Sequence, residues 1–165
     1  MRHAKAVPVA PGQPDRDRPL AERGHRDATL MGRSLADSPP DLILCSPSLR
    51  TMETMDDVVA AFPRKVKGIV AKSLYGGDPA AYLAAVGDSG GGAERLLVVG
   101  HNPAIHEAAL MLARDPGAKI TAKFPTGAVA ILAFDVDDWS AVRPGRGKLV
   151  RFLRPKDLGA GDADD

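Results

Sequence analysis

Residues 96–103 read Leu-Leu-Val-Val-Gly-His-Asn-Pro, and this stretch is the strongest indicator of the fold. Four consecutive apolar residues suit a strand that is covered on both faces, as the strands of parallel sheets are. Asn102 is a good N-cap and Pro103 a good first helical residue, so we expect a helix to follow at once. His101 then lies at the carboxyl end of a buried strand, where open α/β sheets hold their sites.

Strands and helices alternate on both sides of this stretch. Apolar residues at spacings of three and four predict helices over 20–35 and 49–62, after Asp78 and after Pro103. Apolar runs predict strands at residues 41–46, 66–74, 129–134 and 149–153, of which 66–74 is the weakest. The alternation predicts an α/β domain around a mostly parallel sheet, with the last strands forming an antiparallel edge.

Composition limits the possible partners. The chain has 165 residues, 44% hydrophobic and 26% charged, which suits one domain. Lys and Arg number 22 against 21 Asp and Glu and are scattered, which argues against a general nucleic-acid or membrane partner. No apolar run approaches the roughly 18 residues of a membrane span, so we expect a cytoplasmic protein. Cys45 lies in an apolar run and is predicted to be a buried core residue.

Four short motifs carry the residues suited to chemistry. They are Arg2-His-Ala, Asp17-Arg-Pro-Leu, Ser46-Pro-Ser-Leu-Arg-Thr and Gly100-His-Asn. Two of them directly follow predicted strands, which places them on one rim of the sheet. A phosphoryl group in transfer carries dispersed negative charge, and the planar fork of arginine suits it. Arg2 and Arg50, together with the helix that begins at Pro103, therefore predict a phosphoryl site.

Two histidines suit two different roles at such a site. Unprotonated imidazole can attack phosphorus and form a covalent intermediate that water later hydrolyses, and we assign this role to His3. His101 would donate a hydrogen bond to the phosphoryl oxygens and stabilise the transition state.

These motifs, in this order, resemble the histidine phosphatase superfamily and, within it, the SixA-type phosphohistidine phosphatases. The resemblance runs along nearly the whole chain through RHAKA at Arg2, DRPLAERG at Asp17, LILCSPSLRTMET at Leu42, LYGGDP at Leu74, LLVVGHNP at Leu96, FPTGAVAILAFD at Phe124 and PKDL at Pro155. It implies a phosphoglycerate mutase-like fold, a three-layer sandwich around the sheet. It also implies catalysis without a metal or organic cofactor.

The resemblance also implies roles for individual residues. His3 is then the phosphorylated nucleophile, and Arg2, Arg50 and His101 are the other catalytic members of the phosphate pocket. Ser46, Asn102 and Asp17 are expected to bind substrate. The implied reaction is hydrolysis of phosphohistidine on a partner protein.

The chain departs from the SixA type in two places. Only Met1 precedes the Arg-His pair, so we expect the first strand of the domain, residues 1–158, to be truncated. SixA-type relatives often carry Glu where Gly76 stands, and Asp17, Glu53 and Asp78 are the nearby candidates for a proton donor. Because imidazole is a far better leaving group than an alkoxide, the missing acid favours a substrate with a P–N bond.

Alternative functions remain open at this stage. The runner-up is a small-molecule phosphomonoesterase of the same superfamily, and a third possibility is a phosphate-binding protein without turnover. A metal site is disfavoured because the spacing of the four histidines matches no zinc pattern. The tail at 159–165 contains only Gly, Ala and Asp and is predicted to be disordered.

Overall fold

Strand β1, Leu42–Cys45, lies at the centre of a three-stranded parallel sheet in the computed structural model, which describes residues 1–160. Strand β2, Lys67–Val70, pairs with one side of β1, and strand β3, Leu96–Val99, pairs with the other. Strands β4, Val129–Ala133, and β5, Lys148–Leu153, form an antiparallel pair with a register shift after Ile131. The helices are α1 Glu22–Leu35, α2 Leu49–Ala60, α3 Pro79–Ser89, α4 Ala104–Leu112 and α5 Gly117–Ala122. The mixed α/β fold with a mostly parallel sheet and an antiparallel edge confirms the prediction from sequence.

The side chains of β1 divide the core into two halves. Ile43 and Cys45 belong to a buried cluster that includes Met31 of α1 and Val58 of α2. Leu42 and Leu44 belong to a second cluster with residues of α3 and α4. Because successive side chains of a strand point to opposite faces, helices cover both faces of the sheet and three layers result.

Cys45 is fully buried in the first of these clusters, as expected. Burial raises the pKa of its thiol to about 12, so the group is an uncharged core residue.

The first residues of the chain join the parallel sheet to the antiparallel pair. Arg2 forms a parallel bridge with Gly100, and the His3 amide donates a 3.0 Å hydrogen bond to the Gly100 carbonyl. On the opposite side the Arg2 amide donates to the carbonyl of Ala128, and the Gly127 amide donates to that of His3, both at 3.0 Å. This short segment lies where the truncated first strand was expected, and hydrogen bonds hold it from both sides.

Two local predictions were wrong. Helix α4 begins at Ala104, with Pro103 at the N-cap position, and Asn102 does not cap it. The amide nitrogen of Asn102 instead donates a 3.0 Å hydrogen bond to the carbonyl of Phe124, a partner that only the folded chain supplies. The strand predicted at 66–74 is shorter, because β2 ends at Val70 and Lys72–Leu74 form a 3-10 turn.

Three observations concern the remaining parts of the chain. Helix α5 was not predicted, since its six residues are too few for a periodic pattern. In the predicted tail, the Gly159 and Ala160 amides donate hydrogen bonds to the carbonyls of Lys156 and Pro155, and the rest of that prediction lies outside the described residues. Among residues 1–160, no helix has the length and apolar character needed to cross a bilayer.

Candidate active site

His3 lies buried at the point where the two sheets meet, with only 8% of its surface exposed. Its Nδ1 lies 2.7 Å from the carbonyl oxygen of Ala4. Because a carbonyl can only accept, Nδ1 carries the ring proton, and Nε2 is left with its lone pair. Burial, reinforced by the nearby charges of Arg50 and Arg2, lowers the pKa of His3 to about 3. The imidazole is therefore neutral at physiological pH and has a free nitrogen for attack.

His101 lies beside His3, with ring centroids 5.4 Å apart. Its Nδ1 is 3.3 Å from Nη2 of Arg50, which can only donate, so Nδ1 is the acceptor. Its Nε2 lies 2.8 Å from Oγ of Ser46 and donates to that oxygen. Burial, with the charge of Arg50, lowers the pKa of His101 to about 4. The ring is neutral, and hydrogen bonds at both nitrogens fix its orientation.

Arg50 projects from the first turn of α2, which begins immediately after the loop that follows β1. Ser48 caps this helix by accepting a hydrogen bond from the amide of Thr51. The Arg50 side chain is 6% exposed, and its Nη1 and Nη2 donate to the main-chain carbonyl and the carboxylate of Asp15 at 2.7 and 2.9 Å. The guanidinium is thus held rigidly at the site.

Arg2 and Asn102 are fixed by one shared acceptor. Nη1 of Arg2 donates at 3.1 Å, and Nδ2 of Asn102 at 3.0 Å, to the carbonyl of Phe124. Phe124 is almost fully buried and packs against Phe152 of β5, so the acceptor belongs to the core. The loop before β4 therefore positions two residues that lie far from it in sequence.

These side chains surround a cavity of about 260 Å³, which we call the phosphoryl pocket. It is lined by Arg2, His3, Lys5, Ala6, Arg18, Arg50, His101, Asn102 and Thr126. Four of these residues are cationic and none carries a carboxylate. The side-chain nitrogens Nε of Arg18 and Arg50 are buried in the described structure without a hydrogen-bond partner. Buried donors without partners are costly. The cationic lining of the pocket suits a tetrahedral oxyanion.

The structure brings most of the expected site residues together. His3, His101, Arg2, Arg50 and Asn102 line the phosphoryl pocket, and Ser46 touches it through His101. Asp17 does not line the phosphoryl pocket. It is exposed at the end of the 3-10 turn Asp15–Asp17.

Asp15, which sequence reasoning missed, contacts the site in place of Asp17. Its carboxylate pairs with Arg50 and, at 3.2 Å, with Arg18. Partial burial would raise the pKa of Asp15, but hydrogen bonding and charge from Arg50 outweigh it and lower the pKa. The group is therefore an anion at neutral pH. The sequence Asp15-Arg-Asp contains two carboxylates. Only the geometry of the folded turn determines that the first of them contacts the site.

Tyr75 is a second residue that the motifs did not indicate. Its ring lies 5.6 Å from that of His101 in an edge contact, and its hydroxyl donates to the Asp15 carboxylate at 3.2 Å. The side chain borders a second cavity of about 540 Å³, which we call the outer cavity. The outer cavity shares Arg50, His101 and Asn102 with the phosphoryl pocket.

The other two histidines have separate partners. His25 pairs with Asp57 at 2.7 Å, and Nε2 of His106 lies 2.6 Å from the carbonyl of Ile120. Over residues 1–160, no group of three or more His, Cys, Asp or Glu side chains is arranged to hold a metal ion.

The chain is similar to known proteins along most of its length. A model of the histidine phosphatase superfamily (branch 1) matches residues 1–69. An uncharacterized protein of Mycobacterium tuberculosis is 36% identical over 164 residues, which cover 94% of this chain and all of that protein.

Solved structures extend the likeness over the whole fold. A protein from Agrobacterium tumefaciens that has been assigned as phosphohistidine phosphatase SixA is 30% identical, with a TM-score of 0.80 over 94% of this chain and 95% of that one. The protein histidine phosphatase SixA complexed with tungstate is 28% identical, with a TM-score of 0.75 over 96% of each chain.

Proposed function

The chain belongs to the histidine phosphatase superfamily and to its SixA type, and from this premise we propose that it hydrolyses phosphohistidine on a cytoplasmic partner protein. Membership of the superfamily makes the chain a phosphatase. The phosphohistidine substrate and the role of each residue are the parts that we propose. The observation that carries the proposal is the hydrogen bond from Nδ1 of His3 to the Ala4 carbonyl, which leaves Nε2 unprotonated beside the phosphoryl pocket.

The first step transfers the phosphoryl group to His3. Nε2 of His3 attacks phosphorus, and the bond to the leaving nitrogen breaks with its electron pair going to that nitrogen. Arg2 and Arg50 hold the phosphoryl oxygens, and Arg18, which also lines the pocket, adds positive charge. The proton stays on Nδ1 of His3, hydrogen-bonded to the Ala4 carbonyl, throughout the step. The intermediate is therefore a phosphorylated, positively charged imidazole.

His101 stabilises the transferring group after a proton is taken up. In the resting site its Nδ1 accepts from Arg50, so it cannot donate there. A bound phosphoryl dianion favours the protonated imidazole, and Nδ1 then donates to a phosphoryl oxygen. Ser46 accepts from Nε2 in both states and is a positioning residue for His101.

The second step is hydrolysis of phospho-His3. Water attacks phosphorus from the side that the first leaving group has vacated, and His3 departs as a neutral imidazole. It needs no external proton because Nδ1 already carries one. One proton of the water stays on the inorganic phosphate, and the other is released.

The surrounding carboxylates support a P–N rather than a P–O substrate. Glu53 accepts a 2.6 Å hydrogen bond from the amide of Leu20, and Asp78 caps α3 by accepting from the amide of Ala81. Asp15 is held as an anion by Arg50. Each of these three carboxylates is already engaged by a hydrogen bond or an ion pair, and a nitrogen leaving group makes little demand for a proton donor.

The test is release of phosphate from a phosphohistidine-bearing protein by the intact chain, with His3→Ala as the inactive variant. His25→Ala is the matched control, because His25 is paired with Asp57 away from the pocket. We expect activity and a trapped phosphoenzyme in the wild type and in His25→Ala, and neither in His3→Ala.

Two results would overturn the proposal. Turnover of a sugar or nucleotide phosphate, with none on phosphohistidine protein, would make the chain a small-molecule phosphomonoesterase. Phosphate binding without any phosphoenzyme or turnover would make it a binding protein.

A further inference from the structure

The outer cavity adjoins the phosphoryl pocket on a side that His3 does not line. In-line displacement places the leaving atom on the side of phosphorus opposite the attacking nitrogen, which here is Nε2 of His3. The outer cavity meets the phosphoryl pocket at Arg50, His101 and Asn102 and does not touch His3. At about 540 Å³ it is larger than the pocket and has room for a side chain that carries the phosphoryl group.

Acidic side chains dominate the charge of this cavity. Asp15, Asp78 and Glu107 line it, against the single permanent cation of Arg50. Arg50 and Asp15 are paired and offset each other, so the negative charge that remains comes from Asp78 and Glu107. These two carboxylates exceed the single positive charge that His101 gains when substrate is bound. Glu107, exposed in the first turn of α4, forms no ion pair within the described chain. The cavity therefore favours a positively charged occupant.

Two uncharged features agree with such an occupant. Tyr75 is 37% exposed at the cavity and offers an aromatic ring to a cation. Oδ1 of Asn102 is a buried acceptor without a partner in residues 1–160, because the amide nitrogen of that side chain is directed to Phe124. An acceptor of this kind requires an N–H or O–H donor. Carboxylates, an aromatic ring and an unsatisfied acceptor together match a protonated nitrogen ring.

We propose that the outer cavity selects the leaving group as a protonated imidazole ring, so that the enzyme distinguishes P–N from P–O substrates by the charge of the leaving group. The inference rests on the proposed function, whose substrate it specifies. Tyr75 and Glu107 are the specificity-determining residues on this view, and Asn102 accepts a hydrogen bond from the ring.

The chemistry balances without a proton donor from the protein. In the substrate, one ring nitrogen bears the phosphoryl group and the other bears a proton, so the ring is positively charged. As Nε2 of His3 bonds to phosphorus, the P–N bond breaks and its electron pair neutralises the ring. Nearby carboxylates favour the protonated form that this requires. An alkoxide from a phosphate ester would instead meet like charges in the cavity and lack a proton.

The test compares two substrates in the intact enzyme. Values of kcat/KM are measured on a phosphohistidine peptide and on p-nitrophenyl phosphate for the wild type, Tyr75→Leu and Glu107→Gln. Asp88→Asn, on the exposed end of α3, is the control for loss of one negative charge. Each cavity variant is expected to lose at least about fivefold more activity on the peptide than on the ester, since a cation–π or charge contact is worth roughly that factor.

Equal losses on both substrates, or no loss on either, would overturn the inference and leave the proposed function standing. A second measurement tests the outer cavity even if the proposed function is wrong. Imidazole at pH 6 is tested as an inhibitor of ester hydrolysis, and its inhibition constant is expected to rise at least about fivefold in Glu107→Gln but not in Asp88→Asn. Such a rise supports the cavity even if no phosphohistidine is hydrolysed, and an unchanged constant contradicts it.

Discussion

The carboxylate of Asp15 accepts a 2.9 Å hydrogen bond from Nη2 of Arg50, a residue that lines the phosphoryl pocket. The main-chain carbonyl of Asp15 holds Nη1 of the same guanidinium at 2.7 Å. Arg50 therefore has one hydrogen bond to Asp15 that would survive loss of the carboxylate and one that would not.

Asp15→Asn is expected to strengthen binding of tetrahedral oxyanions. The main-chain anchor still orients Arg50, while one competing negative charge disappears from the rim of the phosphoryl pocket. The inhibition constant of tungstate should fall about threefold to tenfold, as expected for loss of a partly exposed charge. Asp17→Asn, in the same turn but outside the pocket, is the matched control. A constant that rises in Asp15→Asn would mean that the carboxylate mainly orients Arg50.

His3 should make the fold less stable in mild acid. Its pKa falls from the usual 6.5 to about 3 in the folded protein, chiefly through burial. Between these pH values the unfolded chain binds a proton that the folded chain does not, so stability decreases as pH falls. From pH 7 to pH 5 this one group accounts for about 2 kcal/mol of lost unfolding free energy.

Denaturant unfolding of the wild type and His3→Asn at pH 7 and pH 5 measures this contribution. Asn retains an amide that can donate to the Ala4 carbonyl but does not titrate. The loss of unfolding free energy between the two pH values should be smaller in the variant by about 2 kcal/mol. The same loss in both proteins would contradict the buried, neutral state of His3.

Ser46→Ala is expected to impair catalysis more than substrate binding. Ser46 is fully buried, and its Oγ is the acceptor for Nε2 of His101. The variant leaves that N–H without a partner and removes a contact that strengthens when His101 is charged. Since a hydrogen bond to a charged group is worth about 1.5–3 kcal/mol, kcat should fall roughly tenfold or more with a smaller change in KM. Ser140→Ala, on an exposed turn, should change neither.

Gly100→Ala should disturb the site through Tyr82. A Cβ on Gly100 would collide with the hydroxyl of Tyr82, which accepts the backbone N–H of His101 at 3.0 Å. Overpacking of this kind costs about 1–3 kcal/mol, so thermal unfolding should occur at a lower temperature and activity should fall. Gly92→Ala meets no atom within 4 Å and is the control. An active and equally stable Gly100→Ala would show that the Tyr82 contact is dispensable.

The sequence predicted the core of the fold because its strands are strongly apolar and its helices strongly periodic. It also predicted that Arg50 and His101 would lie close together, since their motifs follow strands that end on one rim of the sheet. Arg2 and His3 were placed with them by the family resemblance, and all four residues line one pocket. Asp15 and Tyr75 were not predicted as site residues, because each lies in a short 3-10 turn or loop. In such segments only the folded backbone determines which side chain faces the site. Asn102 illustrates the same limit. It was predicted to cap helix α4, but its side-chain amide instead donates to the carbonyl of Phe124, 22 residues away in sequence.

The hydrogen bonds that flank His3 bear on how this protein can move. The segment at Arg2 and His3 is bonded to Gly100 on one side and to Gly127 and Ala128 on the other, so His3 lies on the seam between the parallel and the antiparallel strands. An opening of that seam would change the distance from His3 to Arg50 and His101. If His3 is the nucleophile, as we propose, loss of activity on heating or in denaturant should accompany the separation of the two sheets.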